Sequence, residues 1–220
     1  HDLKGYLFNF KLLNEVLQED LVSLPAPAEE KKNSFSVIQR LSDTYEKALA
    51  LVKDILLIGR LDAPAEDTFE ETDLNIFISK RFKGLDLAAK RKNIQIRFLY
   101  PAEPVYANII PYKFTHLLEN LLTNAIKFTP AGGQVTLPLK KIDNQVLLQV
   151  SDTGIGIPAH LQDSIFQKFT KASRVGTEGE STTGLGLYIV KQIVEKHKGI
   201  IWLESKENVG TSFFIQLPSC

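Results

Sequence analysis

The chain has 220 residues, 44% of them hydrophobic, and its 26 basic side chains are balanced by 26 acidic ones. That length allows one large or two modest domains, and the even charge excludes the electrostatic footprint of a nucleic-acid or anionic-membrane binder. The single cysteine, Cys220, excludes an internal disulfide framework and suits a reducing compartment, and no apolar run approaches the roughly 20 residues that span a bilayer.

Leu3, Leu7, Phe10, Leu13, Leu17 and Leu21 form a loose apolar stripe that predicts a first helix. Ser23-Leu24-Pro25-Ala26-Pro27 and the charged stretch Glu29 to Lys32 end it in a loop. Over residues 36–62, Ile38, Leu41, Tyr45, Ala48, Val52 and Ile55 alternate steps of three and four, the seam of a coiled coil. Two such helices make an antiparallel hairpin that cannot bury both stripes alone, so a dimeric four-helix bundle is the expected solution; the alternative is a hairpin packed on a second domain of its own chain. Residues 63–72, acidic and Pro-containing, read as a linker and hinge.

Beyond the linker the pattern predicts a helix over 74–90, a strand over 94–99 and a helix over 112–128. A hairpin of strands 134–141 and 145–151 follows, turning at Asp143-Asn144, then a helix over 186–197 and a final strand pair, 200–205 and 211–217. Pro138 inside a strand pattern predicts a bulge or an edge position. The expected fold class is α+β: a helical hairpin over 1–62, then over 73–220 an α/β sandwich with helices on one face of a mixed sheet.

Three segments carry chemistry. Asp152 is followed at once by Thr153-Gly154-Ile155-Gly156-Ile157-Pro158, so a carboxylate at a strand end lies beside a backbone able to approach a flat ligand; it could accept a hydrogen bond from an exocyclic base amine. Thr183-Gly184-Leu185-Gly186-Leu187 runs into an apolar helical pattern, which puts backbone amides at a helix N-terminus where phosphate oxygens are favoured. Neither is the dinucleotide fingerprint or the lysine-containing phosphate loop, and taken singly each is more often just a turn. Upstream, Phe114, Leu117, Leu118, Leu121, Leu122, Ala125 and Ile126 define one buried helix face, while Asn120, Asn124 and Lys127 fall in a sector of roughly 60° on the opposite side. That polar face is either solvated or turned to a ligand, and the two glycine motifs favour the ligand. Residues 170–183 between those motifs contain almost no large apolar side chain, which predicts a mobile lid, with a plain surface loop as the alternative.

His-Leu-Leu-Glu-Asn-Leu-Leu-Thr-Asn-Ala-Ile-Lys-Phe-Thr (116–129), Asp-Thr-Gly-Ile-Gly-Ile-Pro (152–158), Ile-Phe-Gln-Lys-Phe (165–169), Thr-Gly-Leu-Gly-Leu (183–187) and Gly-Thr-Ser-Phe (210–213) resemble, in this order, the motif boxes of sensor histidine kinase ATP-binding domains. The resemblance covers about residues 73–218, and the preceding hairpin resembles that family's dimerisation and phosphoacceptor domain. It implies ATP and Mg²⁺ as cofactors, held between helices and sheet. Its site residues are Asp152 at the adenine amine, Gly154 and Gly156 beside it, Asn124 on Mg²⁺, and Asn120 and Lys127 in the phosphate and metal region. Lys171 reaches the γ-phosphate from the lid, Gly184, Leu185 and Gly186 form the cradle, and Thr211 supports Asp152 through an ordered water. In related ATP-hydrolysing enzymes an acidic residue activates water at the position of Asn120; an amide cannot act as that base, which favours transfer over hydrolysis. Glu119 points about 100° away and is expected to contact the incoming histidine.

His1-Asp2-Leu3-Lys4 resembles the family's phosphoacceptor box, in which a histidine nitrogen attacks the γ-phosphorus. Neutral imidazole is a good nucleophile near neutral pH, so His1 is the nucleophile and Asp2 its orienting base. The alternative origin of His1 is a purification tag; the box reading on through Lys4 and the stripe starting at Leu3 favour the phosphoacceptor. Gly5 stands where many relatives carry Thr or Asn to position water for dephosphorylating the partner, and Tyr6 where many carry a helix-kinking Pro. The expected partners are a second copy, through the hairpin, and the receiver domain of a response regulator, whose aspartate takes the phosphoryl group. An ATP-hydrolysing clamp and a catalytically silent nucleotide-sensing scaffold are the competing functions. The chain opens on His1 and holds no Met, which predicts a cytoplasmic piece of a longer protein with any sensor or membrane portion upstream.

Overall fold

A computed structural model describes residues 2–23, 28–61, 67–81, 86–169, 176–178 and 182–220. The chain divides into two compact units, His1–Leu57 and Ile58–Cys220. The first holds helix α1 (Asp2–Ser23) and most of the 34-residue helix α2 (Ala28–Leu61). Phe10 stacks on Tyr45, Asn14 hydrogen-bonds Ser42, and Lys31 donates to the carbonyl of Val22 at 3.3 Å, so the partners rise on one helix as they fall on the other. The pair is therefore antiparallel. α1 runs unbroken through Gly5 and Tyr6, as expected where no proline removes an N–H. The two predicted stripes are only partly covered within one chain: Ile38 and Tyr45 of the seam are buried and Ile55 is 52% exposed, while Leu13 and Leu17 of the first-helix stripe are 64% and 52% exposed.

The second unit contains strand β1 (Glu70–Asp73), helices α3 (Leu74–Arg81) and α4 (Asp86–Arg91), and strands β2 (Gln95–Leu99) and β3 (Tyr106–Ile109). Helix α5 (Pro111–Phe128) follows, then the hairpin β4 (Gln134–Ile142) and β5 (Gln145–Asp152). The unit ends with the short α6 (Ala159–Gln162), α7 (Gly186–Lys196), β6 (Ile200–Lys206) and β7 (Gly210–Pro218). β2-β4-β5-β7-β6 form one sheet, parallel only between β2 and β4, and β1 pairs antiparallel with β3 in a separate ribbon. The sheet is mixed, as expected. One face follows period two: Val135, Leu137, Leu139, Val146, Leu148, Val150, Phe213, Ile215 and Leu217 are all buried. Opposite them, the seven apolar residues expected on α5 are buried, with Ile189, Val190, Ile193 and Val194 of α7. The other face carries half-buried side chains such as the stacked pair Trp202 and Phe214, whose rings lie 5.1 Å apart.

Three expectations change. Glu70–Thr72, read as linker, are strand: Glu70 to Asp73 pair with Ile109 to Tyr106, and an acidic tetrapeptide without alternation carries no strand pattern of its own. β3 was not predicted, because four residues are too few to show a period. Of the helix expected over 74–90, the described residues are helical over Leu74–Arg81 and from Asp86 onward, and 82–85 lie outside the described residues. α4 then ends at Asn93 in the left-handed region (φ 54°), with Ile94 N–H closing on the carbonyl of Ala89, a turn that asparagine tolerates. Pro138 lies on neither edge nor bulge. It is on the interior strand β4, at the last rung of the β2 pairing, and the β4–β5 register is unchanged on either side of it, so no residue is inserted. Among the described residues, no helix is long and apolar enough to cross a membrane.

Candidate functional site

The helix bearing the polar face is fixed at both ends. α5 starts with Pro111, whose missing N–H is no loss at a first helical position, and no side chain caps it from within. His197, just past α7, accepts the Ile110 amide at Nε2 (2.9 Å), so Nδ1 carries the proton and donates to the carbonyl of Ile193 (2.7 Å). Burial pushes the His197 pKa below the ordinary histidine value, and Lys113 and Lys196 push the same way, which keeps the ring neutral. Lys113, wholly buried on the apolar side of α5, meets Asp67 at 2.5 Å; Lys196 pairs with the other carboxylate oxygen and Tyr112 donates to the first at 3.2 Å. Burial raises the Asp67 pKa, but the hydrogen bonds and charges of the two ammoniums outweigh it and hold the carboxyl below its usual range. Lys196 also donates to the carbonyl of Leu61 at 2.7 Å.

At the strand end, Asp152 Oδ1 accepts the amides of Gly154 (2.8 Å) and Thr211 (3.2 Å). Burial still dominates these two bonds and lifts the carboxyl pKa to about 6. Thr211 thus reaches Asp152 through its backbone amide, and its hydroxyl lies 2.9 Å from that of Ser205. Ser205 in turn accepts the amide of Ile157 at 2.8 Å, fastening the glycine loop to β6. On the loop's other side the Ile155 amide donates to the carbonyl of Phe128 at 3.0 Å. Gly154 presses so closely on that carbonyl, and Gly156 (φ 64°) on the backbone of Lys206, that a Cβ at either would collide. The Asp152 loop is therefore wedged between the last turn of α5 and the β6–β7 connection.

Asn120, Asn124 and Lys127 are half-buried on the face of α5 opposite the core. Asn120 donates to the carbonyl of His116 at 2.9 Å, and a Cβ built on Gly186 would stand 2.5 Å from its Oδ1. The first residue of α7 thus abuts the polar face of α5. Gly184 is in the left-handed region (φ 73°), Thr183 accepts the amide of the fully buried Leu185 at 3.3 Å, and α7 begins without a side-chain cap or an acidic residue in its first turn. Its leading amides stay available to an anion. Glu119 is half exposed and lies 3.5 Å from His116.

Asp152, Gly154 and Gly156 thus lie in the loop against the end of α5, with Thr211 bonded to Asp152, and Gly186, preceded by Gly184 and Leu185, meets the helix at Asn120. His1 and Lys171 lie outside the described residues, and Asp2 is described only as the first backbone position of α1. Sequence reasoning missed Lys113, Ser205, Lys92 and Thr177. Lys113 sits one residue before the apolar stripe and has no partner within helical reach. Ser205 and Thr177 act through bonds to distant segments. Lys92 ends a short helix among other lysines and arginines and reads as solvated.

The sandwich sets a helix N-terminus against an amide-bearing helix face, an arrangement suited to an anionic ligand. Residues 110–219 match the family described as histidine kinase-, DNA gyrase B-, and HSP90-like ATPase. Sensor protein kinase WalK of Staphylococcus epidermidis is 33% identical over 221 residues, covering 99% of this chain and 35% of the relative. The nucleotide-free catalytic domain of histidine kinase ThkA is 30% identical with a TM-score of 0.60, over 69% of this chain and 95% of that one. ThkA in its complex with response regulator protein TrrA aligns with all of this chain and 60% of its own, at 25% identity and a TM-score of 0.68. The chain belongs to this family, and its second unit is the ATPase-like catalytic domain found in histidine kinases. It spans about a third of the length of the curated relatives it matches.

Proposed function

We propose that this chain is the kinase core of a two-component sensor: it binds Mg-ATP in the second unit, phosphorylates His1 and passes the phosphoryl group to an aspartate of a response regulator. The observation that carries the reading is the meeting of a half-buried carboxylate at a strand end, an amide-bearing helix face and an uncapped helix N-terminus around α5. Asp152 accepts the adenine amine. The amides leading into α7, with Gly184 and Gly186, take phosphate oxygens, and Asn120 and Lys127 flank them. Lys171 serves the γ-phosphate.

Among the described residues no group of three or more His, Cys, Asp or Glu could hold a metal ion. The donor set nonetheless fits magnesium, which accepts a single amide oxygen when phosphates and water fill its remaining positions. Asn124 supplies that oxygen, and the ion would neutralise charge on the phosphates. Phosphoryl transfer is mostly positioning and charge neutralisation. A neutral ring nitrogen of His1 attacks the γ-phosphorus, the bond to the ADP oxygen breaks, and Asp2 stabilises the proton on the other nitrogen. Asn120, whose amide is no base, leaves water unactivated.

The half-covered seam of α1 and α2 supports a second copy as its partner, and ThkA, solved with the response regulator TrrA, supports a receiver domain as the acceptor. We assign the dimerisation and phosphoacceptor role to the hairpin through Leu61 and the catalytic role to the sheet-bearing unit, with a cytoplasmic location. Incubation with γ-labelled ATP is expected to give acid-labile, base-stable label that His1→Gln abolishes. Unlabelled wild-type protein, or label persisting in His1→Gln, overturns the proposal; steady hydrolysis without label would mark an ATP-driven clamp, and binding without either a silent scaffold.

A further inference from the structure

The last turn of α5 leaves no carbonyl to solvent. Thr129 Oγ1 donates to the carbonyl of Ala125 at 2.6 Å, and the Ile155 amide takes that of Phe128 at 3.0 Å. The ammonium of Lys92, a residue only 4% exposed, donates to the carbonyls of Ile126 (3.1 Å) and Lys127 (2.8 Å). The same Lys127 carbonyl receives the Thr177 amide at 3.1 Å and its hydroxyl at 3.1 Å, and that hydroxyl also reaches the carbonyl of Thr129 at 3.2 Å. One helix terminus thus gathers three separate segments: the Asp152 loop through Ile155, the stretch between the two glycine motifs through Thr177, and the α4–β2 turn through Lys92.

A helix ending in an extended residue, as α5 does at Thr129, normally leaves its last carbonyls to water or to a glycine turn. Here a buried cation takes that place, and charge-assisted hydrogen bonds are about twice as strong as neutral ones. The carbonyl it holds belongs to Lys127, whose side chain lies on the polar face. Relaxing this end of the helix would move that side chain, the Gly154–Ile155 backbone and Thr177 together.

We infer that Lys92 is a positioning residue for the nucleotide site, holding the last turn of α5 so that Lys127, the Asp152 loop and Thr177 keep one geometry. The inference rests on the nucleotide reading of the site and deepens it, since neither Lys92 nor Thr177 would touch the nucleotide for this effect.

The test uses the full chain and Mg²⁺ with a non-hydrolysable ATP analogue, with affinity measured by calorimetry. Lys92→Met keeps the apolar stem and removes the ammonium; it is expected to weaken affinity at least about fivefold, raising the KM for ATP with little change in the rate at saturation. Thr177→Val, which keeps the backbone amide and removes the hydroxyl, is expected to weaken binding about threefold, with Thr177→Ser restoring it. Because both groups share the Lys127 carbonyl, their combined loss is expected to differ from the product of the single losses. Wild-type affinity in Lys92→Met, or losses that multiply independently, overturns the inference. Should Lys92→Met fail to fold, the Thr177 pair decides: Val and Ser variants of equal affinity overturn it. Wild-type chain that does not bind the analogue refutes the nucleotide reading itself, a different result from wild type that binds and variants that match it.

Discussion

On the proposed reading, Asp152 is under opposite demands in the free and the nucleotide-bound protein. Burial raises its pKa from 3.8 to about 6, equivalent to about 3 kcal/mol of cost to the folded state when the group is ionised. Between pH 3.8 and about 6 the folded chain therefore holds a proton that the unfolded chain has released, and stability contributed by the neutral form is lost as pH rises through about 6. Accepting the adenine amine requires the ionised form, so affinity runs the other way, falling about tenfold between pH 7 and pH 5. Asp152→Asn separates the two effects. Its carbonyl oxygen can still accept the amides of Gly154 and Thr211, which now meet Oδ1, but its NH₂ then faces the adenine amine, donor against donor. The variant is expected to unfold at a temperature higher by several degrees at pH 7.5, at about 2–4 °C per kcal/mol for a chain of this size, and to bind ATP at least about a hundredfold more weakly. Because ATP phosphates titrate in the same range, the assay compares ATP with purine riboside triphosphate, which lacks only the exocyclic amine. The preference of wild type for ATP is expected to shrink below pH 6. A preference constant from pH 5 to 8, or an Asp152→Asn chain that binds ATP as wild type does, refutes the assignment of this carboxylate.

Gly186→Ala places a Cβ 2.5 Å from Asn120 Oδ1, so ATP affinity is expected to fall about tenfold or more while the melt stays cooperative; undiminished affinity in a calorimetric titration would count against the juxtaposition. Asp67→Ala leaves Lys113 buried without its carboxylate and is expected to cost about 3–5 kcal/mol in urea unfolding, whereas Lys113→Met costs less because Lys196 and Tyr112 still serve Asp67. The reverse order would show that the aliphatic stem of Lys113, not the ion cluster, holds this end of α5. Since the Asp67 pKa is depressed, its contribution is full above about pH 4 and lost on further acidification, and Asp67→Ala is expected to flatten that part of the stability profile.

The parts of the fold legible in the sequence are those where one residue's surroundings are set by neighbours three, four or two positions away. α5 shows this best: all seven apolar residues read from helical spacing are buried, because a long amphipathic helix on a sheet leaves its period no freedom. β4, β5 and β7 alternate for the same reason. β1 and β3 escaped because each is four residues long and draws its order from the other, so the pairing of Glu70 with Ile109 has no local trace. Pro138 misled because the rule against proline in a ladder concerns its missing donor, and here it sits where the β2 pairing ends.

For the site, the residues proposed from the sequence are those with a local cause, and the ones it missed are those that hold the surrounding elements in place. Asp152, Gly186 and the Asn120 face could be read because a carboxylate at a strand end, glycines before a helix and amides opposite an apolar stripe each have a local cause. Lys113, His197, Ser205 and Lys92 act across 46, 87, 48 and 35 residues of sequence, so no window contains both partners. Their shared physical role is to satisfy groups that a helix end or a glycine loop leaves open: His197 at the start of α5, Lys92 at its finish, Ser205 behind the Asp152 loop. Two buried lysines and a neutral histidine in a core of 44% hydrophobic sequence are costly unless each has a partner, and each does. Tolerance should therefore divide by position along α5: substitutions at its two ends change where the helix sits, and substitutions at Asn120 and Asn124 change what it holds.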